Sequence, residues 1–169
     1  MKEDSESDVS EIGTVRKNAL IFILSAVETI PGFVCSVLFY LLQKPEYFQK
    51  AQEELQFNFT TIDQITIGSA QGLVFLRAVM REALRVSPPA VGTLPRRVPR
   101  GGSIICGEYV PAGTTVGIHN WSATHSERVW TVPNQFRPER WLGDGEFSKD
   151  DRESFHPFGH GPRTCVARQ

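Results

Sequence analysis

Phe158-Gly159-His160-Gly161-Pro162-Arg163-Thr164-Cys165-Val166-Ala167 is a segment punctuated by Gly and Pro that presents a cysteine two residues after an arginine. Gly161 and Pro162 favour a turn, and such a turn aims successive backbone N–H groups at one point, forming an anion nest. A free thiol is a poor metal ligand, and a thiolate in apolar surroundings needs donors of this kind or positive potential to hold its charge. Cys165 is therefore a candidate metal ligand. Standing alone it would read as an ordinary cysteine, so the segments upstream have to decide.

Working outward, Phe136-Arg137-Pro138-Glu139-Arg140-Trp141 is a short charged element closed by a tryptophan. Further back, Ala70 to Arg85 carries Leu73, Leu76, Met80 and Leu84 at offsets of three and four. That spacing predicts an amphipathic helix, ended by Ser87-Pro88-Pro89. Glu82 and Arg85 lie three apart and share a face; on a solvated helix such a pair is worth only about 0–1 kcal/mol. Asn18 to Leu42 is an apolar run long enough to be a membrane span. Glu28 near its centre, Thr29 beside it and Pro31-Gly32 just after argue instead for a helix running through the middle of a larger core. Pro31 is expected to bend or break that helix. Lys44-Pro45-Glu46 opens a further helix through Leu55, with proline at its first position. From Pro88 onward the helical period fades. Ser103 to Gly107 and Glu108 to Val116 read as short strands joined by a Gly turn.

Phe158, Gly161, Arg163 and Cys165 occupy four of the five fixed positions of F-x-x-G-x-R-x-C-x-G, with Ala167 in place of the last glycine. In this the chain resembles the cytochrome P-450 family of haem-thiolate monooxygenases. Phe136 to Trp141 resembles that family's P-E-R-F element, and Glu82 to Arg85 its E-x-x-R pair. The resemblance runs from about residue 16 to the end and corresponds to the C-terminal part of a typical member. It implies a mainly α fold with a small β region, truncated relative to the family. It further implies haem as cofactor, with Cys165 as the axial thiolate, Phe158 shielding the sulfur side and Gly161 shaping the loop. Arg163 would meet one haem propionate, and Arg96 or Arg97 the other; the plain alternative is that both of these are surface arginines. Glu82, Arg85 and Arg140 would form one buried ion network that fixes the haem loop. Glu28 and Thr29 match the acid and alcohol that help deliver protons to bound oxygen. Val91, Gly92 and Thr93 would enter the substrate pocket. A small organic substrate and a NADPH-dependent reductase follow as partners.

Composition narrows the alternatives. With 169 residues, 40% of them hydrophobic, the chain is the size of one ordinary domain. Its 18 basic and 19 acidic residues give a net charge of −1 with no basic stripe, which argues against nucleic acid. Cys35, Cys106 and Cys165 form no disulfide framework and suit a reducing compartment; the first two are expected as small buried hydrophobes. His119, His125, His156 and His160 have no zinc spacing. Residues 1–15 read as a flexible acidic lead-in and 16–169 as the haem-binding portion. Relatives are often tied to the endoplasmic reticulum, and no anchor of that kind is apparent here. The resemblance implies a helix beginning just after the cysteine, and with four residues following Cys165 that helix is expected to be absent. Two functional classes result: a monooxygenase, or a catalytically inactive remnant with at most weak haem binding. An unrelated single-pass membrane protein is the third reading, resting on residues 19–42 alone.

Overall fold

In the computed structural model, which describes residues 3–168, the helix predicted around Glu82 is the element on which the rest is assembled. The described residues form five α-helices: α1 (Glu3–Gln43), α2 (Pro45–Asn58), α3 (Ile67–Ala70), α4 (Val74–Val86) and α5 (Asn120–Thr124). Gln71 and Gly72 form a turn, so the apolar period read as one helix from Ala70 is divided between α3 and α4. Helix α4 buries Phe75, Ala78, Val79, Glu82, Ala83 and Arg85, one face at helical spacing. Against that face pack Leu41 of α1, Ala51 of α2 and Phe136. The Tyr40 and Phe136 rings stack at 4.4 Å. Helix α2 also reaches the start of α4, where both Glu54 carboxylate oxygens accept, at 2.8 Å each, from the Phe75 and Leu76 N–H groups. These are amides that the first turn of a helix leaves without an internal partner.

Helix α1 departs from expectation in two ways. It continues unbroken through Pro31, because one missing N–H and one crowded carbonyl cost a few kcal/mol at most against the many remaining bonds of so long a helix. It also starts at Glu3, so the acidic segment expected as a flexible lead-in is helical from that residue; residues 1 and 2 lie outside the described range. Among the described side chains of α1, a C-terminal stripe, Phe33, Ser36, Val37, Tyr40 and Leu41, is buried or half-buried, and from residue 14 to residue 32 every position is exposed. Residues 12–43 are long and apolar enough to cross a membrane, judged by length and composition alone.

The β region is two antiparallel pairs. Strand β1 (Arg96–Arg97) pairs with β4 (Thr115–Val116), Arg96 opposite Val116; β2 (Ser103–Ile105) pairs with β3 (Glu108–Val110), Ile105 opposite Glu108. Cys106 and Gly107 form the two-residue connection of the second pair, both at positive φ (51° and 86°), as a type I′ hairpin turn demands. This corrects the expectation for two cysteines. Cys106 sits exposed at that turn, and Cys35 is exposed on α1, so neither is a buried hydrophobe.

Candidate functional site

Four 3-10 turns, Pro138–Trp141, Gly145–Phe147, Arg152–Ser154 and Gly161–Arg163, carry the chain from the core to Cys165. At their base, the structure brings Glu82, Arg85 and Arg140 together, all fully buried. Glu82 receives Arg85 in bidentate fashion, Nε to Oε2 at 3.0 Å and Nη2 to Oε1 at 2.7 Å. The same carboxylate accepts the Arg137 backbone N–H (3.1 Å), Arg140 Nε (3.4 Å) and Trp141 Nε1 (2.9 Å). The remaining donors of Arg85 reach the carbonyls of Thr124, Pro133 and Gln135. Those of Arg140 reach Asp150 and the Thr131 carbonyl.

Asp150, buried and absent from the sequence-based set, closes the charge balance: two guanidiniums against two carboxylates. Burial by itself would raise its carboxyl, but the Thr131 N–H at 2.7 Å and the Arg140 guanidinium together hold it below the ordinary carboxylate value. The arginines also lie over Trp130, at 5.4 Å and 5.5 Å from the ring centre. Such an array is weak evidence for net stability, because desolvation offsets much of the Coulombic gain. What it does is fix segments 124–150 relative to α4.

Above this base lies a cleft of about 560 Å³. Its walls include Leu84 and Pro88 at the end of α4, Leu94 and Arg96 at β1, Thr124, Trp130, and Phe155, His156 and His160 from the stem of the cysteine loop. Trp130 donates its Nε1–H to the Ala123 carbonyl (3.1 Å) and meets Phe155 edge-on at 6.0 Å. Network, tryptophan and loop stem are thus in mechanical series. The two arginines left open by the sequence are separated here. Neighbouring strand residues point to opposite faces, and Arg96 lines the cleft while Arg97 is not among its walls.

The cysteine loop owes its course to glycine. Gly159 (φ 76°) and Gly161 (φ 77°) both adopt the left-handed region that residues with a Cβ disfavour. The chain consequently doubles back until the Cys165 N–H donates to the Phe158 carbonyl at 2.8 Å, with Thr164 bonded to Gly161 inside the loop. Cys165, Phe158, Gly161 and Arg163 are exposed and are not among the cleft walls. Val91, Gly92 and Thr93 are likewise exposed; Trp121 and Asn120 N–H groups bond the Val91 and Gly92 carbonyls and tie that bend to α5. Glu28 and Thr29 are exposed on α1, Thr29 donating its hydroxyl to the Ser25 carbonyl at 2.6 Å, and the structure does not bring them against the cysteine loop.

The sequence profile of the family described as Cytochrome P450, written cytochrome P-450 here, matches residues 1–169. The chain belongs to the cytochrome P-450 family. Among curated relatives, cytochrome P-450 monooxygenase aclL of Aspergillus oryzae is 39% identical over 154 residues, and prhB of Penicillium brasilianum 41% over 151. These alignments cover 91% and 89% of this chain but 31% of each relative, so the chain spans about a third of their length. Among solved structures, a zebra fish cytochrome P-450, a structure with progesterone, superposes with a TM-score of 0.72 at 30% identity. That superposition covers 85% of this chain and 32% of the other. The mainly helical architecture with its small β region is that of a partial cytochrome P-450 fold. The sequence did not reveal Asp150, Trp130, Thr124 or the cleft histidines, because no local pattern links residues that meet only through the folded meander between α5 and the loop.

Proposed function

We propose that this chain carries the haem-binding part of a cytochrome P-450 monooxygenase, and the closed loop that presents Cys165 above the buried network is the observation that carries the reading. The residues present fit haem. Cys165 is a soft ligand of the kind that thiolate-ligated iron requires, the cleft walls are mainly apolar, and Arg96 places a guanidinium on that cleft where a carboxylate could pair with it. Bound haem would supply dioxygen activation, and Cys165 would hold it as a thiolate.

In this reading Cys165 would hold the iron, and Arg163 and Arg96 would hold the two propionates, leaving Arg97 as a surface residue. Phe158 shields the sulfur side, and Gly161 with Gly159 shapes the loop. Glu28 and Thr29 are the acid and alcohol on helix α1 that would supply protons, and Val91 to Thr93 would border the space for a small organic substrate. Glu82, Arg85 and Arg140 act as positioning residues through Trp130 and Phe155. Reducing equivalents come from a NADPH-dependent reductase. A second reading, haem binding without turnover, is favoured by the exposure of Cys165 and of Glu28 and Thr29.

The test is spectroscopic. Haem-loaded protein, reduced under carbon monoxide, is expected to show the red-shifted Soret band of thiolate ligation, and Cys165→Ala to abolish it. A histidine-type spectrum in the parent protein would overturn the assignment. Product formation that depends on NADPH and reductase then separates the monooxygenase from the inactive form.

A further inference from the structure

The 4 histidines of this chain differ in how far their rings are engaged. At α5 they are used up by hydrogen bonds. His119 Nδ1 accepts the Ser122 N–H at 3.3 Å; His125 Nδ1 lies 2.9 Å from the Trp121 carbonyl, its ring stacked on the indole at 4.2 Å. His156 and His160 are different. Among the described residues no hydrogen bond or ion pair engages either ring, although each imidazole has two nitrogens able to take a partner. Both rings line the cleft, and their centres stand 4.9 Å apart, tilted at 42°. No zinc motif in the sequence announces this meeting. It is made by Gly159, which turns the chain at a φ of 76° and gives its N–H to the His156 carbonyl at 2.9 Å. Pro157 fixes one more backbone dihedral between the two histidines.

We propose that His156 and His160 together bind a divalent transition-metal ion of the zinc type, on the stem of the cysteine loop. The spacing of the rings carries the proposal. Zinc–nitrogen bonds of about 2.0–2.1 Å meeting at a tetrahedral angle put the centres of two ligating imidazoles about 5 Å apart, and these two rings already stand at that separation. Imidazole suits zinc, nickel and copper, whereas magnesium and calcium take oxygen ligands. Both rings are exposed, so a cation reaches them without any opening of the core. Among the described residues no group of three or more His, Cys, Asp or Glu side chains is placed to hold a metal. The two histidines therefore act as a chelating pair, and the other coordination positions are left to water or to a donor from outside, as in zinc sites that exchange a ligand. A bound cation ties residue 156 to residue 160 across Gly159 and so clips the stem on which the Phe158 carbonyl receives the Cys165 N–H. The inference is independent of the haem assignment, in which neither ring has a part.

The untagged full chain, as purified, is titrated calorimetrically with zinc ion in a buffer free of chelators, and in parallel with magnesium ion. One zinc site per chain is expected, and magnesium should neither bind there nor compete. His156→Ala and His160→Ala should each weaken zinc binding about tenfold or more, since even the supporting partners of metal ligands are worth that much. His119→Ala and His125→Ala should leave it unchanged. So should Cys165→Ala, which separates this site from the haem assignment that the same variant tests. A measurement on the parent protein needs no substitution: at one equivalent of zinc, the imidazole nuclear magnetic resonance signals of two histidines should shift together while those of the other two stay in place. No zinc binding, binding that survives either His156→Ala or His160→Ala undiminished, binding lost in Cys165→Ala, or magnesium binding equally well overturns the proposal.

Discussion

Beneath α4, two arginines and two carboxylates are sealed from water, whereas along α1 Leu20, Ile21, Phe22, Ile23, Leu24, Val27 and Ile30 face it. The buried charges are internally complete. Each guanidinium and carboxylate of the network meets partners supplied by this chain, from α4 and from the segment between Thr124 and Asp150. The apolar helix has no such completeness, since only its last turns find α4 and α2. A helix that is hydrophobic on every side belongs inside a larger core, and the relatives are about three times as long as this chain. One region therefore carries its own determinants of structure, and the other leaves its apolar surface uncovered among the described residues.

Substitutions test that contrast. The largest effect is expected from Glu82→Ala, which strands two buried guanidiniums; urea unfolding should show a loss of about 3–5 kcal/mol. Asp150→Asn leaves Arg140 with a weaker acceptor and should cost about 2 kcal/mol. The acid limb of the stability curve follows with its sign. Asp150 titrates lower in the folded protein than in the unfolded chain, where its value is about 3.8, so its stabilisation is present above that pH and is lost as the pH falls through the folded value. Circular dichroism from pH 6 downward should show this loss, and Asp150→Asn should remove its share. Tyr47→Phe deletes the 3.0 Å bond to Glu139 and should cost about 1 kcal/mol. Burial, followed by that bond, raises the Tyr47 hydroxyl well above its ordinary 10.0. Its contribution is therefore complete below pH 10 and falls as alkali ionises the unfolded chain first; the parent and the Phe variant should converge there. The smallest effect is expected from Leu20→Gln and Ile23→Gln, within about 0.5 kcal/mol in this chain. A large loss from either would break the contrast.

Much of the fold was legible because its determinants are local. Periodicity located α4, proline at the first position located α2, and a Gly turn located the β2–β3 hairpin. The Glu82 and Arg85 pair was visible at three-residue spacing, and Arg140 entered through the resemblance of its segment to a family element. Pro31 did not end the helix, because a helix this long outweighs a single lost hydrogen bond. Cys35 and Cys106 misled because thiols are usually buried, yet here a type I′ turn and an uncovered helix determine their places. Asp150 was not legible at all. It lies in irregular chain, ten residues from Arg140, where neither helix nor strand period announces a meeting. That Arg96 and not Arg97 lines the cleft likewise became visible only with strand β1, since alternation across a strand is meaningful only once the register is known.

The reach of Glu54 across to α4 has a consequence for how the molecule breathes. Both oxygens of that carboxylate are occupied by the Phe75 and Leu76 amides, so these two protons exchange with solvent only when α2 swings away or its last turns melt. They form an internal tell-tale for detachment of one helix from another, readable at single-residue level without any label. The charged centre about two to three turns further along α4 should stay silent while they report.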